Sequence, residues 1–187
     1  FIQLGAILSV IVVYRHKFIY MMNTHHWFKK RGASLMNLAI AMFPACVIGF
    51  LCHGIIKNKL FSPMTVIVGL IIGGLFMILA EKMRKKFTII DVDQITSLDA
   101  FKIGLFQCLS LWPGFSRSGS TIAGCLLLGI SRKAAADFSF IMAVPLMFMA
   151  CLYDLYKVAG QLSGNYFILL AIGCLLYTSD AADDSLR

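Results

Sequence analysis

The run Leu111-Trp-Pro-Gly-Phe-Ser-Arg-Ser-Gly-Ser-Thr-Ile122 places one guanidinium among hydroxyls and glycines between two apolar stretches. A charged side chain near the centre of a bilayer costs roughly 2.5–3.5 kcal/mol even on the mildest scale, so a residue kept there usually has a task. Pro113 and Gly114 break the preceding helix, which sets Ser116, Arg117, Ser118 and Gly119 at or just before the start of the next one. A helix start offers unpaired backbone N–H groups and the positive end of the helix dipole. Adding the guanidinium fork of Arg117 and the hydroxyls of Ser116, Ser118 and Thr121 gives a site suited to a phosphate or diphosphate. The plainer alternative is a Gly/Ser turn whose arginine snorkels to the headgroups. Snorkelling does not require the glycine–serine packing around the arginine.

The elements that must position this run are apolar helices. Of the 187 residues 59% are hydrophobic and only 14% charged, and the mean hydropathy is +0.83. Soluble domains carry about 25% charged residues, so the composition is that of an integral membrane protein. The apolar runs are continuous and helix-length, unlike the alternating strands of a barrel. The expected fold is therefore all-α: one polytopic helical bundle, residues 1–176. The net charge of +8 sits in short loops between spans, which fits the positive-inside rule and headgroup contact and not a nucleic-acid stripe.

Along the chain, spans are expected at about 1–14, 35–56, 64–80, 134–156 and 165–176. The first, starting at Phe1, is too short to cross alone and reads as a helix cut on its N-terminal side. Residues 15–31 read as a basic loop, 81–86 as another, and 87–98 as an interfacial connection. Gly69, Gly73 and Gly74 recur at close helical spacing, which favours tight packing. Residues 98–130 form two half-length segments around the Pro-Gly break, a re-entrant hairpin or a discontinuous helix. Counting Lys and Arg places 15–31 and 81–86 in the cytoplasm and 57–63 outside.

Other residues invite less. The six cysteines include no C-x-x-C pair and read as packing residues. His25 and His26 are adjacent, have no carboxylate or cysteine nearby, and read as interfacial residues beside Trp27. Asp137 could orient a site residue or serve as an interfacial carboxylate. Trp112 packs the break or meets a lipid tail, packing being the more natural use. Residues 177–187 turn abruptly acidic and polar; they resemble a translated sequencing adapter and are expected to be a non-native tail.

Pro113-Gly-Phe-Ser-Arg-Ser-Gly-Ser-Thr-Ile122 resembles the signature of the undecaprenyl-diphosphatase (BacA/UppP) family. The segments Ile2-Gln-Leu-Gly-Ala-Ile-Leu8 and Ser131-Arg-Lys-Ala-Ala-Ala-Asp-Phe-Ser-Phe140 through Pro145 are similar to segments of the same family. The resemblance covers nearly all of residues 1–176. It implies an inverted-repeat helical bundle with re-entrant hairpins, 98–130 being one of them. It also implies removal of the terminal phosphate of undecaprenyl diphosphate, recycling the lipid carrier for peptidoglycan synthesis and conferring bacitracin resistance. By that resemblance Arg117 and Ser116 are catalytic, and Gly114, Ser118, Gly119 and Thr121 bind substrate. The implied location is the bacterial inner membrane, multi-pass, and a homodimer is compatible with it.

The family also has a glutamate-rich motif followed by a serine–threonine–glycine–histidine run, which holds a divalent cation, magnesium or calcium. This chain has one glutamate, Glu81, so the metal ligands are expected in an N-terminal part beyond it, with none here. The chain is accordingly read as a fragment that binds weakly and does not turn over alone. A transporter or flippase for an anionic or lipid-phosphate substrate is the alternative, since broken helices presenting Arg and Ser also hold transported anions.

Overall fold

A computed structural model describes residues 7, 10–22, 31–52, 54, 56, 60, 62–83 and 86–158. The expectations for 1–6, for His25, His26 and Trp27, for the segment 165–176 and for the tail 177–187 lie outside the described residues. The described chain is all-α: α1 (Arg15–Met22), α2 (Leu35–Leu51), α3 (Pro63–Lys82), α4 (Ser97–Gln107), α5 (Arg117–Leu127) and α6 (Arg132–Val158), with 3-10 turns at Val92–Gln94 and Cys108–Leu111. It divides into two compact units, Met21–Met142 and the paired segments Phe1–Tyr20 and Ala143–Arg187. In the second unit the described residues are helical apart from a turn at Tyr14. Residues 15–22, expected as loop, form α1, because the stretch holds no glycine or proline to interrupt it.

In the first unit, α2 packs on α4, α4 on α5, and α5 on α3. Only α3 is long and apolar enough among the described residues to cross a membrane. Its 20 residues rise about 30 Å, the thickness of a bilayer's hydrocarbon core. Leu70, Ile71, Leu75, Ile78 and Leu79 on α3 are all exposed, whereas α5 buries Gly119, Ser120 and Thr121. An apolar outside around a polar inside is the arrangement expected of a fold whose surroundings are lipid.

The hairpin of α4 and α5 has both feet at one end of this unit. Gly32 N donates to Ile95 O at 2.8 Å, Thr88 N to Gly129 O at 2.8 Å and Ser131 N to Ile89 O at 2.8 Å. Buried Asn37 joins the same end, donating to Gly32 O at 2.8 Å and accepting from Ser97 Oγ at 2.7 Å. The start of α2, the end of α3, the hairpin feet and the start of α6 therefore share one end. Residues 87–98, expected as an interfacial connection, form part of the core there: Val92 and Ile95 are fully buried. Glu81, assigned above to a loop, lies in the last turn of α3 and pairs with Arg132.

Candidate functional site

The hairpin tip docks against α3 and sets the height of the candidate site. Trp112 Nε1 donates to Thr65 O at 3.0 Å, which makes the tryptophan a packing residue. Gly114 has φ +92°, open to glycine and strained for other residues. A Cβ there would run into the Val66 carbonyl oxygen, and one on Gly69 would lie 2.5 Å from Pro113 O. Phe115 lies against Gly73 and its ring centroid is 6.0 Å from Phe76. Gly119 lies against Met77, whose Sδ would be 2.7 Å from an added Cβ. The chain thus descends from the first turn of α3 to its middle before α5 begins. Of the three spaced glycines of α3, Gly69 and Gly73 receive the tip, and Gly74 faces open space.

At this mid-height Ser116 is the N-cap of α5, its Oγ accepting from Gly119 N at 3.2 Å. Ser120 N and Ser120 Oγ both donate to Ser116 O, at 2.9 and 2.7 Å. The N–H groups of Arg117 and Ser118 have no partner among the described residues, as the first turn of a helix predicts. Arg117 is partly buried, and its Nη1 is a buried donor without a partner among the described residues. Such a donor costs about 1–3 kcal/mol where nothing accepts from it. The exposed Ser116 hydroxyl lies 3.4 Å from that of Ser118. Together these groups form a donor-rich, positively charged helix start with no carboxylate in the first turn, a setting for an anion with several oxygens.

The six residues singled out by sequence divide into two sets. Ser116, Arg117 and Ser118 stand together at the start of α5. Gly114 and Gly119 lie close against α3, and Thr121 is 0% exposed. The Thr121 hydroxyl approaches Ser118 O at 3.0 Å, Arg117 O at 3.2 Å and Ser139 Oγ at 2.7 Å. Each of the three thus has contacts within the protein that hold the loop and helix in place. Asp137 is half-buried on α6.

Two residues escaped the sequence reading. Ser139 on α6 is one. The other is Gln107 on α4, 1% exposed, whose Oε1 is the other buried side-chain atom without a partner among the described residues. A lone glutamine in the apolar run 100–112 was the available signal for it. Among the described residues no three His, Cys, Asp or Glu side chains gather as a metal site would require.

A sequence model of the family described as bacitracin resistance protein BacA matches residues 1–179. A protein of Geobacillus thermodenitrificans named undecaprenyl-diphosphatase is 46% identical over 94% of this chain and 70% of its own length. Proteins of the same name from Anoxybacillus flavithermus and Bacillus velezensis are 44% and 43% identical, over 91% and 92% of this chain and 68% and 64% of their own lengths.

Proposed function

The chain belongs to the BacA family of bacitracin resistance proteins, and we propose that it acts as an integral membrane phosphatase converting undecaprenyl diphosphate and water into undecaprenyl phosphate and inorganic phosphate. The observation that carries this reading is the open first turn of α5. There Arg117 with its buried Nη1, the N–H groups of Arg117 and Ser118 that no described residue accepts, and the neighbouring hydroxyls of Ser116 and Ser118 follow one another in the chain, level with the middle of a helix long enough to cross a bilayer. The relatives bear the name of that reaction.

In this reading the diphosphate binds across the start of α5. The anhydride P–O bond breaks as oxygen from water bonds to the terminal phosphorus. Negative charge on the phosphoryl and leaving oxygens is offset by Arg117 and by the dipole of α5. Gly114, Gly119 and Thr121 keep these donors aimed, so little reorganisation is needed during reaction. A divalent cation, magnesium or calcium, belongs to the proposal for the reaction as a whole. The described residues do not fit one: their single glutamate, Glu81, faces Arg132. The product is the lipid carrier of peptidoglycan synthesis, and removing the diphosphate lipid takes away bacitracin's target. The corresponding place is the bacterial inner membrane, crossed several times, with a homodimer as the proposed assembly.

The test is phosphate release from undecaprenyl diphosphate in detergent. Because the chain spans 70% of the Geobacillus relative, the assay uses a chimaera in which this chain replaces the aligned segment of that protein. Metal-dependent release that disappears in Arg117→Ala is the expected result. A folded chimaera that binds the lipid and releases no phosphate overturns the reading.

A further inference from the structure

We infer that Ser139 is a positioning residue for the reaction, acting through Thr121 and one peptide group on the backbone N–H of Ser118. The inference takes its reaction from the phosphatase reading and its geometry from the structure alone.

Ser139 Oγ and Thr121 Oγ1 are 2.7 Å apart, and the two residues are 1% and 0% exposed. Cys125 and Ala123 of α5 and Ala135, Phe138 and Met142 of α6 are buried as well, so the hydroxyl pair sits in an apolar core where water does not compete. Each hydroxyl carries one proton and two lone pairs. Thr121 also faces the carbonyl oxygens of Ser118 and Arg117, at 3.0 and 3.2 Å, and carbonyls can only accept. The Thr121 proton therefore goes to those carbonyls, and the proton in the short contact comes from Ser139. A serine inside a helix often bonds a carbonyl of its own preceding turn. Among the described residues Ser139 bonds Thr121 instead, 18 residues away.

The consequence reaches the site because a peptide group is planar and its C=O and N–H point in opposite directions. The carbonyl of Arg117 and the N–H of Ser118 belong to one such group. The Thr121 proton is shared between this oxygen, at 3.2 Å, and that of Ser118, at 3.0 Å, and the Ser118 N–H projects from the first turn of α5, where it has no partner among the described residues. The chain of donors runs from Ser139 to Thr121, through the Arg117 carbonyl, to the Ser118 N–H. Hydrogen bonds in series polarise one another, so this chain both aims the Ser118 N–H and strengthens it as a donor toward an anion. The same contact fixes the backbone that carries the Arg117 side chain.

The test uses Ser139→Ala, Thr121→Val and the double variant, with Thr121→Ser as the variant that keeps the hydroxyl. In the chimaera, Ser139→Ala and Thr121→Val each lower kcat about tenfold with KM changed less than threefold. The double variant is no worse than Thr121→Val, and Thr121→Ser stays within threefold of the parent. Elution volume and unfolding midpoint report on folding. Independently of turnover, the Ser118 amide proton resonance of the complete 187-residue chain shifts on addition of inorganic pyrophosphate, and shifts less in Ser139→Ala. Wild-type kcat in Ser139→Ala, multiplying effects in the double variant, or equal amide shifts in both proteins overturn the inference. If the parent chimaera releases no phosphate and the Ser118 shift still depends on Ser139, the phosphatase reading fails and the positioning role stands.

Discussion

The two helices of the hairpin begin in opposite chemical states. At the start of α4, Thr96 Oγ1 accepts from Asp99 N at 3.3 Å, while Asp99 Oδ2 accepts from Thr96 N at 3.1 Å and from the Thr96 hydroxyl at 2.6 Å. This reciprocal box closes the terminus and puts a carboxylate on the positive end of the helix. At the start of α5, Ser116 caps Gly119 N, but the third position is glycine and returns nothing. The start of α3 and the 3-10 turn at Val92–Gln94 are closed by reciprocal boxes too, Ser62 with Thr65 and Asp91 with Gln94. The difference is one of charge: the third residue of α4 takes the Thr96 N–H and sets a carboxylate on the helix start, whereas the third residue of α5 is glycine and leaves its positive end, with Arg117, to an anion.

Removing the charge from the open start should have the largest effect. Arg117→Ala lowers kcat for phosphate release in the chimaera by about 10²–10³-fold, equivalent to roughly 3–4 kcal/mol. Arg117→Lys recovers part of that loss, because it restores the charge without the planar fork. Equal rates for the two variants would show that charge alone matters and that the fork adds nothing. Next in size is the contact that holds the open start at mid-height. Gly114→Ala faces the Val66 carbonyl and a φ of +92°. It should lower stability by about 2 kcal/mol, read as a lower unfolding midpoint in detergent.

Gly119→Asp tests the comparison directly, by giving α5 the box that α4 has. The added Cβ meets Met77 Sδ at 2.7 Å, and a thioether end is flexible enough to move aside. Affinity for pyrophosphate should fall at least about tenfold, some 1.4 kcal/mol, with the fold retained. The mirror-image change, Asp99→Gly, removes the carboxylate from the start of α4 and should create no pyrophosphate binding, since the Ser97 hydroxyl there is given to Asn37 and the neighbouring Arg31, paired with Thr96 through the backbone, is an exposed charge. Binding gained by Asp99→Gly would mean that an open helix start is sufficient by itself.

What sequence could and could not show follows the same division. Pro113, Gly114 and the Ser-Arg-Ser run announce a break with donors after it, because turn chemistry and capping are local. The apolar core of α3 is equally plain from its composition. The second role of each glycine was hidden, since Gly114 and Gly119 answer to Val66 and Met77, about 40 or more positions away. Thr121 looked like a ligand contact because its hydroxyl is one turn from Arg117; only the placement of α6 shows that hydroxyl turned inward to Ser139. Val92 and Ile95 read as part of an interfacial connection because acidic residues flank them. Their burial depends on the backbone pairing of Ile89 with Gly129 and Ser131, which no local pattern encodes.

The smaller effects belong to the closed end. Thr96→Ala removes the cap of α4 and should cost about 1 kcal/mol of stability while leaving kcat in the chimaera within twofold, since the α5 donors are untouched. Smaller still is Glu81→Gln. Arg132 donates to Glu81 through Nε at 3.2 Å and also through Nη2, so on geometry this bidentate pair looks like a clasp between α3 and α6. Yet Arg132 is well exposed, and exposed pairs are weakened by water, by salt and by the entropy of fixing two long side chains. The buried Asn37 bonds and the backbone links at Ile95, Gly129 and Ile89 already join the same elements, with partners that water does not reach as easily. Glu81→Gln should therefore leave the unfolding midpoint unchanged at 0.15 M salt, with a small fall appearing only at low ionic strength. A large fall at both salt concentrations would move the strength of the closed end from its buried amides to its surface charges.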